Sequence, residues 1–316
     1  MNSTKNSAEN NTDYPLIPVL VGPTASGKTS VATELADIFP QIEIISADSR
    51  QIYKYLSIGT DKPSTDILSR YKFHLVDFVK PGERYTAFDF VEDSKNIIAV
   101  TLKREVVPLI CGGTGLYVRS LVEGIIEIPD DDFSHRNQLE EEVITKGPKY
   151  LFEKLRAVDP TEAEKVHPNN IKKIIRALEI YHLTGKPKSE FLTQNQESSS
   201  KYKYKIFCLI PPREILYERI NARVDIMVNS GLLDEVEWLI NNGMKETVKK
   251  VNVIGYNELF RYFDDEISLE TAINLIKQNS RRYAKRQITW FKGMKNVIFY
   301  DSADSLKADL AGFWTK

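Results

Sequence analysis

A chain of 316 residues holds one large domain or two modest ones, and 42% hydrophobic with 28% charged residues is the balance of an ordinary soluble protein. Its formal net charge of -1 excludes a global electrostatic pull toward nucleic acid or membrane, so any such affinity must come from local clusters. The two cysteines, Cys111 and Cys208, lie in or just after the apolar runs VVPLIC and KIFCLI; this reads as small buried hydrophobes in a reducing compartment, with no disulfide framework.

The opening MNSTKNSAENNTDY has no apolar core of a secretory signal and is expected to be a disordered tail over residues 1–14. No apolar run approaches the ~18 residues a membrane span needs. A soluble, cytoplasmic protein is expected, with no membrane partner. LIPVLVG (16–22) is a short β-branched run typical of a central parallel strand, and it feeds GPTASGKT and a helix, SVATELADIF. IEIISAD (42–48) and HLVDFV (74–79) read as further strands. Thr86 and Asp89 stand at capping-box spacing ahead of a helix on which Phe90, Ile97, Ile98 and Leu102 recur at helical period. VVPLIC gives another strand, and GGTGLYVRSLVEG another turn and helix. From Pro129 to about Glu197 the sequence is charged and helical without clear strands, and QNQESSSKYK reads as a loop. KYKIFCLI restores a strand, 212–242 reads as a long helix with a break at Gly231, and NVIFYD is the closing strand. Alternation of this kind predicts an α/β fold, a P-loop type of parallel sheet flanked by helices. Residues 15–128 and 201–316 would form its catalytic core, and 129–200 a mostly helical insertion.

GPTASGKT matches G-x-x-x-x-G-K-[ST] through Gly22, Gly27, Lys28 and Thr29, and it lies between a strand and a helix as that motif requires. Backbone amides at the helix N-terminus would face a phosphate cluster, Lys28 would add a point charge, and the Thr29 hydroxyl would ligate Mg²⁺. The pattern implies a diphosphate or triphosphate; it does not imply a nucleotide. SADSRQIY (46–53) ends the second strand. Ligands of open α/β sheets gather at strand carboxyl ends, so Asp48 is placed to reach a substrate; the plainer reading of Asp48 is a cap on the next turn. Its strand is expected beside the P-loop strand. VVPLI runs into Cys111, Gly112 and Gly113 with no carboxylate, which counts against ordinary ATP hydrolysis.

From Thr271 to Tyr300 there is no Asp or Glu, while Lys277, Arg281, Arg282, Lys285, Arg286, Lys292 and Lys295 give the segment a formal charge of +7. On a helix, Arg281 with Lys285 and Arg282 with Arg286 stack at i, i+4 beside Tyr283 and Trp290. That is either a solvated face or a track for RNA phosphates. In HPNNIKKIIRALEIYHLTGKPKS, Ile171, Ile174, Ile175 and Leu178 form a core stripe that leaves Lys172, Lys173 and Arg176 for a polyanion. The four histidines show no metal-ligand spacing, and there is no G-x-S-x-G elbow.

Taken together, GPTASGKT, SADSRQIY, IGTDKP, GERYTAFDF, PLICGGTGLYVRSLVEG, IIRALEIYHLTGKP, RINARVDIMVNSGLLDEV, VIGY and RRYAKRQITWF resemble the tRNA dimethylallyltransferase family, in family order from about residue 16 to 292. The resemblance implies transfer of a dimethylallyl group from dimethylallyl diphosphate to the exocyclic nitrogen of adenosine at tRNA position 37, with Mg²⁺ as cofactor. Carried over position by position, it implies Asp48 as general base, with Thr29 and Arg223 beside it as catalytic residues. Gly22, Pro23, Thr24, Ala25, Ser26, Gly27, Lys28, Thr29 and Arg223 would hold the diphosphate. Asp48, Ser49, Arg50, Gln51, Thr114, Arg136, Lys172, Lys173 and Arg176 would meet tRNA, together with the charge run's Arg281, Arg282, Lys285 and Arg286. The helical insertion would grip the anticodon stem-loop of a tRNA bound by a monomer. The family commonly has Gln-Arg where Lys172-Lys173 stand and often Asp at Asn170, and the chain lacks the zinc-finger extension of eukaryotic relatives, so a bacterial type is expected. Two other readings stay open on the residues alone: a P-loop kinase of a small metabolite, and an RNA-binding protein that has kept a P-loop fold without turnover.

Overall fold

A computed structural model describes residues 15–125, 134–194 and 201–315. The expected tail at 1–14, and most of the loop at 195–200, lie outside the described residues. Leu16–Val21 (β1) is buried after its first residue, which suits a central strand covered on both faces. Lys28–Ile38 (α1) follows, then Ile44–Ser46 (β2), Thr65–Arg70 (α2) and Phe73–His74 (β3). The expected strand at 74–79 is therefore only its first residue. Leu75 and Asp77 take left-handed backbone (φ 61° and 60°), which ends the pairing, and Val79 returns only as an isolated bridge to Tyr53. Ala87–Leu102 (α3) starts at Thr86, whose side chain and that of Asp89 form the expected capping box.

Leu109–Gly112 (β4) and Gly115–Glu123 (α4) close the first half. Ser134–Lys146 (α5), Pro148–Val158 (α6), Pro160–Ala163 (α7), Ile171–Thr184 (α8) and Lys188–Gln194 (α9) follow without a strand among the described residues. Lys203–Leu209 (β5) returns to the sheet. Gly231 (φ 97°) splits the long helix into Arg213–Asn229 (α10) and Leu232–Asn241 (α11). Lys245–Val251 (α12), Tyr256–Phe263 (α13) and the long Leu269–Lys292 (α14) come next. Val297–Tyr300 (β6) does not close the chain, because Ala303–Ala311 (α15) follows and buries Leu306 and Leu310 against the sheet cluster.

All six strands pair in parallel, in the order β3-β2-β4-β1-β5-β6. The strand bearing Asp48 is thus not the neighbour of the P-loop strand: β4 lies between them. Its end compensates. A Cβ on Gly112 would stand 2.2 Å from the Ala47 carbonyl oxygen, so only glycine lets β4 pass the end of β2 that closely. Asp48, just beyond that end, lines the same cavity as the P-loop.

The chain divides into two compact units, Met1–Glu123 with Lys201–Lys316, and Gly124–Ser200. The first contains the sheet. The second packs Leu139, Leu151, Leu155, Ile174 and Leu178 of its helices into a core of its own. Among the described residues no helix is long and apolar enough to cross a membrane.

Candidate active site

β1 delivers the chain into a tight loop that ends at Gly27 (φ 97°), the residue before α1. Ser26 is buried, and its amide donates to the Pro23 carbonyl at 3.3 Å. The first amides of α1 are left at the loop, the arrangement that binds anions at helix N-termini. The Lys28 ammonium folds back over the loop and donates to the Pro23 carbonyl at 2.7 Å and to Ser26 Oγ at 3.5 Å. Burial lowers the Lys28 pKa, with the Cys111 and Asp48 sites opposing and Arg223 adding to the depression.

Asp48 is a cap and also a cavity residue. Its Oδ1 accepts from the amides of Arg50 (2.8 Å) and Gln51 (3.3 Å), so it caps the turn after β2. It also lines the same cavity as the P-loop. The turn is held from the far side by Thr114, whose Oγ1 accepts from the Ser49 amide at 2.9 Å and lies 3.2 Å from Ser49 Oγ.

α10 supplies two guanidinium groups from one face. Arg223 Nη2 donates to Thr24 Oγ1, and its Nη1 donates to Asp61 Oδ2 at 2.8 Å. Asp225, two residues on, pairs with Lys277 at 2.6 Å and not with Arg223. Arg219, one turn earlier, reaches the Ser26 carbonyl at 3.5 Å. Gln287 of α14 is 6% exposed; its Oε1 accepts from the Thr24 amide at 2.8 Å while its Nε2 donates to the Gly113 carbonyl at 2.9 Å. It ties the P-loop to the end of β4. Neither Arg219 nor Gln287 was singled out in the sequence. Arg219 stands at i−4 from Arg223, and Gln287 falls in the buried stripe Ala272, Ile276, Ser280, Ala284, Gln287, Phe291, where an amide is out of place unless it holds something.

These groups surround a cavity of about 620 Å³. Of the expected phosphate residues, Thr24, Ala25, Gly27, Lys28, Thr29 and Arg223 line it; Gly22, Pro23 and Ser26 shape the loop without lining it. Asp48, Arg50, Gln51 and Arg286 line it as well, beside Tyr283, whose hydroxyl burial pushes up to about 12. Burial also raises the Cys111 thiol to about 11, so it is a neutral wall of the site. Among the described residues no group of three or more His, Cys, Asp or Glu is placed to hold a metal ion.

The basic segment of α14 is not one ridge. Arg281 is half-buried and bonds to Asn221 Oδ1 at 2.5 Å, Arg286 lies 5.7 Å from the Tyr283 ring centre at the cavity, and Arg282 and Lys285 are exposed. Trp290 packs on Gly115, where a Cβ would meet its ring at 2.2 Å, and the Arg119 guanidinium covers that ring at 4.4 Å.

Comparison with known proteins decides the family. The model of the IPP transferase family matches residues 51–294. The chain belongs to that family. The match begins after the P-loop and Asp48. A tRNA dimethylallyltransferase of Bacillus cereus (strain AH187) is 42% identical over 293 residues, 92% of this chain and 91% of that one. The full-length tRNA isopentenylpyrophosphate transferase of Bacillus halodurans matches with a TM-score of 0.67 at 37% identity, over 95% of both chains. A eukaryotic dimethylallyltransferase acting on tRNA matches with a TM-score of 0.79 at 27% identity, over 93% of this chain and 77% of that one. This member of the IPP transferase family is therefore a transferase built on a P-loop type of sheet.

In its helical unit, Asn170 caps α8, accepting from the Lys173 amide at 3.4 Å, and leaves Lys172 and Lys173 exposed. Arg136 is different in kind. It clamps Glu179 through two bonds, Nε to Oε1 at 2.6 Å and Nη2 to Oε2 at 2.9 Å, and Arg176 joins from 3.4 Å. Burial works against the Glu179 anion, but the two arginines outweigh it and hold the carboxyl below its ordinary range.

Proposed function

We propose that the chain transfers the dimethylallyl group of dimethylallyl diphosphate to the exocyclic amino nitrogen of adenosine at tRNA position 37, giving N6-isopentenyladenosine and diphosphate. The observation that carries this reading is one cavity in which a phosphate-cradling loop, an arginine fork and a carboxylate converge, in a chain related to tRNA dimethylallyltransferases along nearly its full length. The strand end at Cys111, Gly112 and Gly113 has no acid of the ATPase type, which favours a diphosphate leaving group over ATP hydrolysis.

In this reaction the bond from the allylic carbon to the diphosphate oxygen breaks and its electron pair leaves on the diphosphate. The amide-lined loop, Lys28 and the Arg223 fork meet that growing charge. The adenine nitrogen bonds to the same carbon, becomes more acidic, and passes its proton to Asp48. One Asp48 oxygen is occupied by the turn it caps, which fixes the carboxylate while the other oxygen serves as base. The Thr29 hydroxyl is exposed at the first turn of α1 and opens on the cavity, so Thr29 together with donor phosphate oxygens fits Mg²⁺, a hard cation that usually keeps few protein ligands. When bound, Mg²⁺ would neutralise charge on the diphosphate.

An anticodon stem-loop would meet the Asp48–Gln51 turn with its Thr114 support, the exposed Arg282 and Lys285, Arg286 at the cavity, and the helical unit through Lys172, Lys173 and Arg176. Arg281 and Arg136, each tied to a neighbour, would brace those surfaces. The target base must leave its stack to reach a carboxylate inside a cavity. The test is incubation with labelled dimethylallyl diphosphate, Mg²⁺ and unmodified tRNA, followed by digestion to nucleosides. Label in N6-isopentenyladenosine is expected. Steady ATP consumption without tRNA, and no labelled nucleoside, would replace the proposal with a kinase.

A further inference from the structure

The segment at 57–61 touches both halves of the cavity. Gln51 Nε2, from the turn that Asp48 caps, donates to the Asp61 carbonyl at 2.8 Å and to that of Thr60 at 3.4 Å. The Asp61 side chain accepts from Arg223, whose other nitrogen reaches Thr24 of the P-loop. The distance between the arginine fork and the carboxylate turn is therefore referenced to this one loop.

What holds the loop is a carboxylate outside the cavity. Glu235 of α11 accepts from three successive backbone amides: Ser57 at 2.9 Å, Ile58 at 3.0 Å and Gly59 at 3.3 Å. Consecutive amides converging on one anion form a nest, and charge-assisted bonds of this kind are the stronger ones. The same carboxylate accepts from the Tyr256 hydroxyl at 2.6 Å. Tyr256 is fully buried, within the cluster that includes Leu56, Val224, Leu232 and Ile276, so the anchor is set in packed core. Burial, and then the Glu235 charge, raise the Tyr256 pKa well above its ordinary value, which keeps the hydroxyl a donor. A Cβ on Gly59 would stand 2.5 Å from the Tyr256 ring. The loop lies on that ring because residue 59 has no side chain.

Given prenyl transfer at this cavity, we propose that Glu235 and Tyr256 form a positioning pair that fixes Arg223 and the Asp48 turn in register through the loop at 57–61. Neither residue lies on the reacting atoms in this account. Their effect is geometric, and misplacement of reacting groups by about 1 Å costs on the order of a hundredfold in rate.

The experiment compares wild type, Glu235→Gln and Tyr256→Phe in single-turnover prenyl transfer, with tRNA binding measured in parallel. Tyr256→Phe keeps the ring and removes only the hydroxyl, so it remains informative where Glu235→Gln fails to fold. Both are expected to lower the transfer rate by about tenfold to a hundredfold with tRNA affinity little moved. Each is then combined with Asp61→Asn, which weakens the link from loop to Arg223. A pair acting through the loop gives a much smaller added loss in that background, whereas a general loss of stability gives additive losses. Additive losses, or wild-type rates in both single variants, would overturn the positioning role while leaving prenyl transfer intact. Absence of transfer by the wild-type enzyme would instead remove the assignment of the cavity itself.

Discussion

The cations of the cavity and those on the surface of α14 differ in what holds them. Lys28 and Arg223 each have two protein partners and lie in or beside buried loop, so their charges are fixed in direction. Arg282 and Lys285 are exposed on a helix with no carboxylate of its own along that stretch. On the proposed function the same residue types would serve two purposes: fixed charges in a low-dielectric site would act on a transition state, and exposed charges would add affinity for a phosphate backbone. Arg281 and Arg136 show that charge alone does not sort the two groups: both were expected to meet tRNA, and both are tied to a neighbour.

Among these cations the largest effect is expected at Lys28. Lys28→Ala removes a charge aimed at the leaving group, a loss of about 3–4 kcal/mol in comparable sites, or roughly a hundredfold to a thousandfold in transfer rate. Rapid-quench transfer with saturating tRNA measures it, and a loss confined to tRNA affinity would erase the distinction drawn above. Arg223→Lys is next. A lysine cannot span Thr24 and Asp61 as the fork does, so kcat/KM for the prenyl donor should fall by about tenfold or more. Unchanged donor kinetics would take Arg223 out of the fixed group.

Replacing both Arg282 and Lys285 by glutamine should act in the opposite sense. All tRNA substrates should bind more weakly to a similar degree, and the slope of log affinity against log salt should flatten by roughly one unit per lost phosphate contact. An unchanged slope would show these side chains to be solvated and nothing more.

The smallest effect on catalysis is expected at Glu43, a buried carboxylate outside the cavity that meets Arg104 at 2.7 Å, His74 at 2.7 Å and Lys72 at 3.4 Å. Burial works to raise its pKa, but the Arg104 and His74 hydrogen bonds and the Lys72 charge outweigh it and bring the pKa down to about 2. A folded pKa below the unfolded one adds stability that is present above the unfolded value, near 4.5, and is lost as pH falls toward 2. The shift corresponds to about 3 kcal/mol. Urea unfolding of Glu43→Gln should show a deficit of that order at pH 7 that closes as pH drops from 5 toward 2, with prenyl transfer at pH 7 by the folded fraction little changed.

Features carried by contiguous residues were legible in the sequence. The P-loop turn and the Thr86–Asp89 capping box are local, and a few side chains specify each. Asp48 was legible as a strand end, but its place in the sheet was not, because strand order follows from how α1 and α3 cross over and not from the strands themselves. β4 entered between β1 and β2, and the contact that makes this workable is a single glycine against the Ala47 carbonyl. Gln287 was hidden by distance: it bonds to an amide 263 residues away, and only its polar character on a buried stripe marked it. α15 was missed because its nine residues carry only a weak apolar pattern, and its burial comes from the sheet it covers.

Asp48 separates chemistry from structure most directly, because it caps a turn and lines the cavity. Asp48→Asn keeps the shape, and its amide oxygen can still accept from the amides of Arg50 and Gln51, so the turn should survive. It cannot take a proton from the adenine nitrogen. Single-turnover transfer with tRNA and prenyl donor both saturating should therefore fall by about a hundredfold to ten-thousandfold, with tRNA affinity changed far less. A near-normal rate in this variant would leave Asp48 as a cap alone and contradict its assignment as the base.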